Sequence, residues 1–144
     1  IFIYPGQTID DVLKTIELHQ EMKTNYPFKS FLQPYPHTEI FDIAVQHKNI
    51  PADFDFKDLP QSYFLKSALN HPQKKDISLI YYFYYFLVVY PFFYKLIKNR
   101  IYILKFVPFK TLISYWGIFL WFKNWKNMSY IEAFTYMLRF WKDK

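Results

Sequence analysis

The chain contains no cysteine and only two glycines among its 144 residues. The absence of cysteine excludes disulfides, cysteine-ligated zinc, a cysteine nucleophile and any iron–sulfur cluster held by this chain alone. With so few glycines, the turns must use Pro, Asn and Asp instead. Hydrophobic residues make up 52% of the chain, which is enough to form a core and argues against disorder.

Charge and aromatic content divide the chain into two parts. Residues 1–75 hold eight Lys and nine acidic residues, a net charge of −1, whereas residues 76–144 hold ten basic and three acidic residues, a net charge of +7. Of the 35 aromatic residues, 24 follow Asp76. We therefore predict three regions, residues 1–50, a connecting segment over 51–75, and a helical, basic, aromatic-rich region over 76–144.

The first part begins with the order of a strand, a turn and a helix. Ile1–Tyr4 is short, apolar and rich in β-branched residues, as in a buried strand, and Pro5 with Gly6 ends it. Thr8 can cap a helix that runs to about Met22. That helix is predicted from apolar residues at helical spacing, namely Ile9, Val12, Leu13 and Ile16.

The same order follows a second time. Pro27–Gln33 is a plausible strand, and Pro34–Thr38 is a loop that its prolines make rigid. Thr38 can cap a helix from Glu39 to about His47. This order predicts an α/β fold with a parallel sheet, in which ligands bind at the loops that follow the strands. Taken singly, each loop is more typical of a simple turn.

Three stretches carry a resemblance to a known family. They are YPGQTIDDVLKTIELHQEM, SFLQPYPHTEIFDIAVQHKNIP and PADFDFKDLPQSYF. They resemble the C-terminal part of the catalytic barrel of radical S-adenosylmethionine enzymes, in the group that carries an N-terminal cobalamin-binding domain. Gln7 stands where that family has Glu, and His37 where it has Gly. The Cys-x-x-x-Cys-x-x-Cys motif that defines the family is absent.

The resemblance implies a fold of the last βα units of a partial (β/α) barrel, followed by an all-helical C-terminal region. It implies reductive cleavage of S-adenosylmethionine, followed by radical chemistry or methyl transfer on an unknown small-molecule or lipid substrate. The full-length enzyme would hold S-adenosylmethionine and a 4Fe-4S cluster, with cobalamin left open. This chain alone would hold none of them and would be inactive. The apolar start at Ile1 is then the edge of a fragment whose N-terminal part is missing.

The resemblance also assigns two candidate site loops. Pro5, Gly6, Gln7 and Thr8 would lie near the bound S-adenosylmethionine, where the following helix could receive its carboxylate or hydroxyls. The substrate-side loop would consist of Pro34, Tyr35, Pro36, His37 and Thr38. No residue of the chain is predicted to be catalytic, and none to bind a metal. The four histidines lack metal-ligand spacing, and the acidic run from Asp53 to Asp58 lacks the Gly and Glu of a calcium loop.

The second part contains an uncharged run, Ile77–Tyr94, that is rich in tyrosine. Three interpretations stay open: a helical domain with an aromatic core, a surface that lies on anionic membrane, or one transmembrane helix. In the second interpretation the lysines lie at the headgroup level together with Trp116, Trp121 and Trp125. The alternative function is a non-catalytic, membrane-associated protein. We expect a cytoplasmic location, with the membrane surface left open as an alternative, and no binding of nucleic acid.

The chain ends with a predicted helix over Asn127–Lys142. Ser129 and Glu132 match a capping box at its start. The apolar spacing predicts an inward face made of Ile131, Phe134, Met137 and Leu138.

Overall fold

The computed structural model describes residues 1–64 and 66–142 of the chain. Most of these residues are helical. The α-helices are α1 (Ile9–Glu21), α2 (Glu39–Gln46), α3 (Lys74–Val89), α4 (Pro91–Ile97), α5 (Lys110–Trp125) and α6 (Tyr130–Lys142). Two short 3-10 helices cover Phe56–Asp58 and Ile101–Phe106.

The predicted α/β fold, with the last units of a (β/α) barrel, is wrong. In the described residues, extended backbone pairs at a single parallel bridge between Phe2 and Phe31, and no sheet forms. The pairing stops because Ile3 has a left-handed φ of 57°, and its N–H donates to Gln7 Oε1 at 2.6 Å instead of to a neighbouring strand. The Phe31 N–H in turn donates to the Tyr63 carbonyl at 2.8 Å. A pairing this short is not stable as a sheet.

The chain divides into two compact units. Unit 1 consists of Ile1–Thr15 and Lys29–Tyr81, and unit 2 consists of Ile16–Phe28 and Tyr82–Lys144. The boundaries of the units follow contacts within the chain. The regions predicted from composition, 1–50, 51–75 and 76–144, stay a prediction.

The core of unit 1 is built around the side chain of Tyr81, which is 1% exposed. The Phe31 ring stacks on it with centroids 4.0 Å apart, and the Phe2 ring meets it edge-on at 5.1 Å. The Tyr81 hydroxyl donates to the Phe64 carbonyl at 2.8 Å. The two extended segments and the loop that precedes α3 are therefore joined through one aromatic residue.

The core of unit 2 contains the buried residues Tyr85, Phe119, Leu120 and Ala133, packed with Phe86, Val89, Trp121 and Met128. Gly117 allows α5 to approach α3 closely, because a Cβ at this position would lie 3.1 Å from the Tyr85 Cβ. Glycine thus serves here as a small contact residue inside a helix.

The predicted starts of three helices are confirmed. Thr8 and Asp11 exchange hydrogen bonds at the start of α1, with 2.8 Å from the Thr8 N–H to the Asp11 carboxylate. Thr38 is the N-cap of α2. At the start of α6 the Ser129 N–H donates to Glu132 at 2.8 Å, which completes a capping box.

The predicted inward face of α6 is wrong for the residues that can be assessed. Ile131 is 79% exposed, Phe134 59% and Leu138 52%, while the Met137 side chain lies outside the described residues. Ala133, which is fully buried, joins the core instead. A small residue allows close helix packing, so α6 packs on the core with its alanine and leaves its large apolar side chains exposed.

Several helix ends are closed by left-handed residues other than glycine. After α1, Lys23 has φ 51°, the Thr24 N–H donates to the His19 carbonyl and the Lys23 N–H donates to the Gln20 carbonyl. The same pair of bonds follows α2, with Lys48 at φ 54°. This is the Schellman motif, in which glycine is usually the left-handed residue.

We predict that Lys23→Gly stabilises the protein. A left-handed L-residue costs roughly 1–2 kcal/mol, and glycine avoids this cost. Glycine also raises the conformational entropy of the unfolded chain, which offsets part of the stabilisation, so the free energy of unfolding should rise by about 0.5 kcal/mol. Urea denaturation followed by circular dichroism measures it. The control is Lys14→Gly inside α1, which should lower the free energy of unfolding by about 1 kcal/mol. Destabilisation by both variants would contradict the argument.

Candidate functional site

The first candidate loop, Pro5–Thr8, forms a type II turn. The Gln7 N–H donates to the Tyr4 carbonyl at 3.1 Å, and Gly6, at φ 78°, occupies the position that requires a left-handed residue. Gln7 is 4% exposed, and its Oε1 accepts the Ile3 N–H. The side-chain oxygen of Gln7, a residue predicted to lie near S-adenosylmethionine, therefore forms a hydrogen bond inside the turn.

The backbone donors at the start of α1 also have partners. The Thr8 N–H donates to Asp11, the Asp11 N–H donates to the Thr8 hydroxyl, and the Ile9 N–H donates to Gln73 Oε1 at 3.2 Å. The hydrogen bond from the Thr8 backbone lowers the pKa of Asp11. In this structure the turn thus offers a ligand mainly its shape and the exposed backbone of Gly6.

The second candidate loop, Pro34–Thr38, has a buried start and an exposed end. Pro34 is fully buried, whereas Tyr35 is 48% exposed and packs on the Phe56 ring at 5.8 Å. His37 is exposed and has φ 67°. The Thr38 hydroxyl donates to the Tyr35 carbonyl at 2.6 Å and accepts from the Phe41 N–H at 3.4 Å. A left-handed residue thus lies at the position where the resembling family has glycine.

The structure places a basic cleft of about 590 Å³ beside the first candidate loop. A Cβ at Gly6 would lie 3.6 Å from the His47 ring, and His47 lines the cleft. The lining residues come from the end of α2 and the start of α3. They are His47, Lys48, Asn49, Asn70, His71, Pro72, Lys74 and Lys75.

This cleft was not predicted from the sequence, because the second group of its lining residues lies at the end of the predicted connecting segment over 51–75. Lys74 and Lys75 open α3, and Asp76 follows them in the same turn, so basic and acidic residues occur together at this helix start.

Lys29 is a buried basic residue that the sequence did not single out. It is 7% exposed, its Nζ donates to the Tyr81 carbonyl at 2.6 Å and lies 4.3 Å from the centre of the Tyr81 ring. Burial lowers the pKa of Lys29 to about 7. Lys29 is not among the residues that line the basic cleft, so we assign it a structural role.

We predict that Lys29 makes stability depend on pH. In the folded protein the pKa of Lys29 is about 7, below its ordinary value of 10.5. Between these pH values Lys29 therefore binds more protons in the unfolded chain than in the folded protein. The free energy of unfolding should therefore rise from pH 7 to pH 9, by at most about 2 kcal/mol, because the contacts with Tyr81 favour the charged amine. Urea denaturation at both pH values measures the rise.

The matched variant for this measurement is Lys29→Met, which keeps the length of the side chain and removes the amine. The pH-dependent rise should disappear in this variant. A rise of equal size in Lys29→Met would show that other groups cause it.

In unit 2, three tyrosines of the uncharged run have partners for their hydroxyls inside the unit. The Tyr84 hydroxyl shares a 2.5 Å hydrogen bond with His19 Nδ1, and the Tyr94 hydroxyl donates to Glu17 at 2.7 Å. Asn124 donates to the Tyr85 hydroxyl at 2.9 Å. Burial raises the pKa of Tyr85 to about 12. These tyrosines belong to a core.

The last residues of this run and those that follow it are very different. From Phe92 to Trp116, ten large apolar side chains are at least 41% exposed: Phe92, Phe93, Leu96, Tyr102, Ile103, Phe106, Phe109, Leu112, Tyr115 and Trp116. We call Phe92–Trp116 the exposed aromatic segment. It contains five basic residues and no acidic residue. In the part of the chain that the structure describes, no helix has the length and apolar character needed to cross a bilayer.

A resident metal or cluster does not fit the described residues. They contain no group of three or more His, Asp or Glu side chains that could hold a metal ion, and the chain lacks the thiolates of a 4Fe-4S cluster. Comparison with known proteins gives no further assignment, since no family model, no curated protein and no solved structure matches the chain.

Proposed function

We propose that this chain is part of a radical S-adenosylmethionine enzyme whose cluster-binding cysteines lie outside it. One observation carries the proposal: the two loops that resemble the family both contain a left-handed residue one or two positions before the residue that caps the following helix. These residues are Gly6 at φ 78° and His37 at φ 67°. The backbone of the second loop therefore suits the glycine of the family motif, although the side chain differs.

The proposal rests on these loops and not on a barrel, which the structure lacks. In it, Pro5–Thr8 borders S-adenosylmethionine and Pro34–Thr38 borders the substrate. Both loops contribute shape and backbone groups, since Gln7 and Thr8 use polar atoms within unit 1. The reductive cleavage of S-adenosylmethionine needs the cluster, which this chain does not hold.

The gene that encodes this chain tests the proposal. We expect the reading frame to continue upstream of Ile1 and to encode Cys-x-x-x-Cys-x-x-Cys. The whole protein, reconstituted with iron and sulfide under anaerobic conditions, should cleave S-adenosylmethionine when reduced. A variant with the three cysteines changed to alanine should not. A start codon directly before Ile1, or a whole protein without this motif, would contradict the proposal.

The exposed aromatic segment supports a second function, peripheral attachment to anionic membrane. Ten exposed apolar side chains in 25 residues are unusual for a protein surface in water. The basic residues of the same segment complement the charge of anionic lipid, and aromatic rings favour the region of the headgroups. This attachment is compatible with an enzyme that acts on a lipid, and equally with a protein that has no catalytic role.

We predict that the chain floats with vesicles that contain phosphatidylserine, and far less with vesicles of phosphatidylcholine alone. Because the attraction is partly electrostatic, binding should weaken as salt rises. The double variant Phe92→Gln and Phe106→Gln removes the rings that are 75% and 81% exposed. It should lower partition by about tenfold or more, since each ring loses a favourable burial of roughly 1 kcal/mol in lipid.

The matched control changes two exposed rings outside the segment, Phe56→Gln and Tyr63→Gln, which are 56% and 45% exposed. This control should bind vesicles like the unchanged chain. Equal losses in the two double variants, or equal binding to neutral and anionic vesicles, would contradict attachment through the exposed aromatic segment.

A further inference from the structure

The turn between the second 3-10 helix and α5 carries two of the four most exposed large apolar side chains among the described residues. Phe106 is 81% exposed and Phe109 is 74% exposed, and the two residues between them are also apolar. We call residues 106–109 the aromatic turn. Since none of its side chains has a polar atom, the whole turn presents an apolar surface.

The backbone of Phe109 is strained. Its φ of 55° lies in the left-handed region, which is unfavourable for a bulky aromatic residue. Phe109 is the N-cap residue of α5, and its side chain makes no capping hydrogen bond. Asn or Ser at this position would cap the helix, and glycine would avoid the strain. The fold therefore gains little from the Phe109 ring, and strain of this kind occurs preferentially at functional sites.

Aromatic residues that carry a polar atom lie on both sides of the aromatic turn. Tyr102 precedes it in the second 3-10 helix, and Tyr115 and Trp116 follow it in α5; all three are between 49% and 58% exposed. Lys105 and Lys110 lie directly beside the turn. Tyr and Trp favour the headgroup region of a bilayer, whereas Phe has no polar atom to keep in contact with water. The order of these residues along the chain thus matches an order of depth in one leaflet.

α5 continues from the aromatic turn into the core of unit 2. The exposed residues at its beginning are Leu112, Tyr115 and Trp116, and the exposed stripe stops at Phe119, which is buried. Trp116 lies seven residues after Phe109, about 10 Å along a helix. Apolar groups of proteins that bind a bilayer surface enter it by roughly 5–10 Å. α5 therefore offers a membrane its beginning and not a whole face, so it does not lie flat.

We propose that the aromatic turn inserts into the acyl region of an anionic membrane, with Tyr102, Tyr115 and Trp116 at the level of the headgroups. This inference rests on the membrane attachment proposed above and adds to it a point and a depth of insertion. The exposed aromatic segment, which contains the turn, has five basic residues and no acidic residue, so its charge complements anionic lipid. Burial of the Phe109 ring in lipid then offsets the strain of its backbone.

The absence of cysteine from the chain allows a direct test of depth. Single-cysteine variants of the full chain, Phe109→Cys and Tyr102→Cys, carry the fluorophore NBD, and Lys57→Cys in unit 1 is the control. The vesicles contain phosphatidylserine and phosphatidylcholine, with a nitroxide quencher either on the headgroup or on the acyl chain. The acyl quencher should quench the label at position 109 at least about twofold more than the headgroup quencher does. The label at position 102 should show the reverse order, and neither quencher should affect the label at position 57.

Flotation of the same labelled chains separates the insertion from the attachment on which it rests. If the chains float with the vesicles but the headgroup quencher acts more strongly at position 109, the insertion is wrong and the attachment stands. Equal quenching at positions 109 and 57 in chains that float would also overturn the insertion. If neither the labelled nor the unchanged chain floats, both the attachment and the insertion are wrong.

A second pair of variants changes one hydroxyl and keeps the aromatic ring. Phe109→Tyr adds a hydroxyl at the proposed point of insertion, and partition into the vesicles should fall about threefold or more, because a hydroxyl is unfavourable in hydrocarbon. Tyr102→Phe removes a hydroxyl at the level of the headgroups, and partition should stay within about twofold. Both side chains are exposed, so both variants should fold, which circular dichroism verifies. An unchanged partition of Phe109→Tyr, or an equal loss in both variants, would overturn the proposal.

Discussion

The structure of unit 1 depends on the burial of Tyr81. This side chain contacts residues from both extended segments, and its hydroxyl bonds to the loop before α3. Truncation of a buried aromatic side chain costs about 3–5 kcal/mol, a large fraction of the roughly 5–15 kcal/mol by which a domain is stable. The backbone pairing between the two segments is one bridge, so a side chain, not a sheet, holds them together. Lys29 belongs to the same arrangement, since its buried amine contacts both the carbonyl and the ring of Tyr81.

Local sequence rules predicted the starts of three helices correctly. The pairing of distant segments into a sheet was predicted wrongly. The caps at Thr8, Thr38 and Ser129 depend on residues at most three positions away, so the sequence alone specifies them. Pro91 starts α4 as its first residue, a position that needs no N–H donor. The predicted sheet is wrong because strand pairing depends on which group accepts the hydrogen bond of each backbone N–H. Here Gln7 accepts from the Ile3 N–H, and Tyr63 accepts from the Phe31 N–H.

The scarcity of glycine determines how this backbone turns. Among the described residues, six other than glycine have positive φ, namely Ile3, Lys23, His37, Lys48, Phe109 and Asn127. Composition predicted that Pro, Asn and Asp would replace glycine. Asn127 does so after α5, whereas lysine does so after α1 and α2. The reason is energetic: capping bonds at a helix end can offset the roughly 1–2 kcal/mol that a left-handed L-residue costs. His37 is therefore compatible with a glycine position in the resembling family, at a cost in stability.

The basic cleft was not predicted from the sequence for a related reason. His47 and Asn49 follow the end of α2, His71 and Lys74 lie at the start of α3 or just before it, and more than twenty residues separate the two groups. The two hydrogen bonds between Asn49 and Asn70 bring these groups together, and neither bond leaves a pattern in the sequence. The same limit applies to the aromatic residues. The aromatic residues of α3 and those of the exposed aromatic segment look alike in composition. Tyr84, Tyr85 and Tyr94 are buried with His19, Asn124 and Glu17 as hydrogen-bond partners, whereas the exposed rings of the segment lie at the surface. Where an aromatic residue lies therefore depends on whether the fold supplies a partner for its polar atom and a surface for its ring.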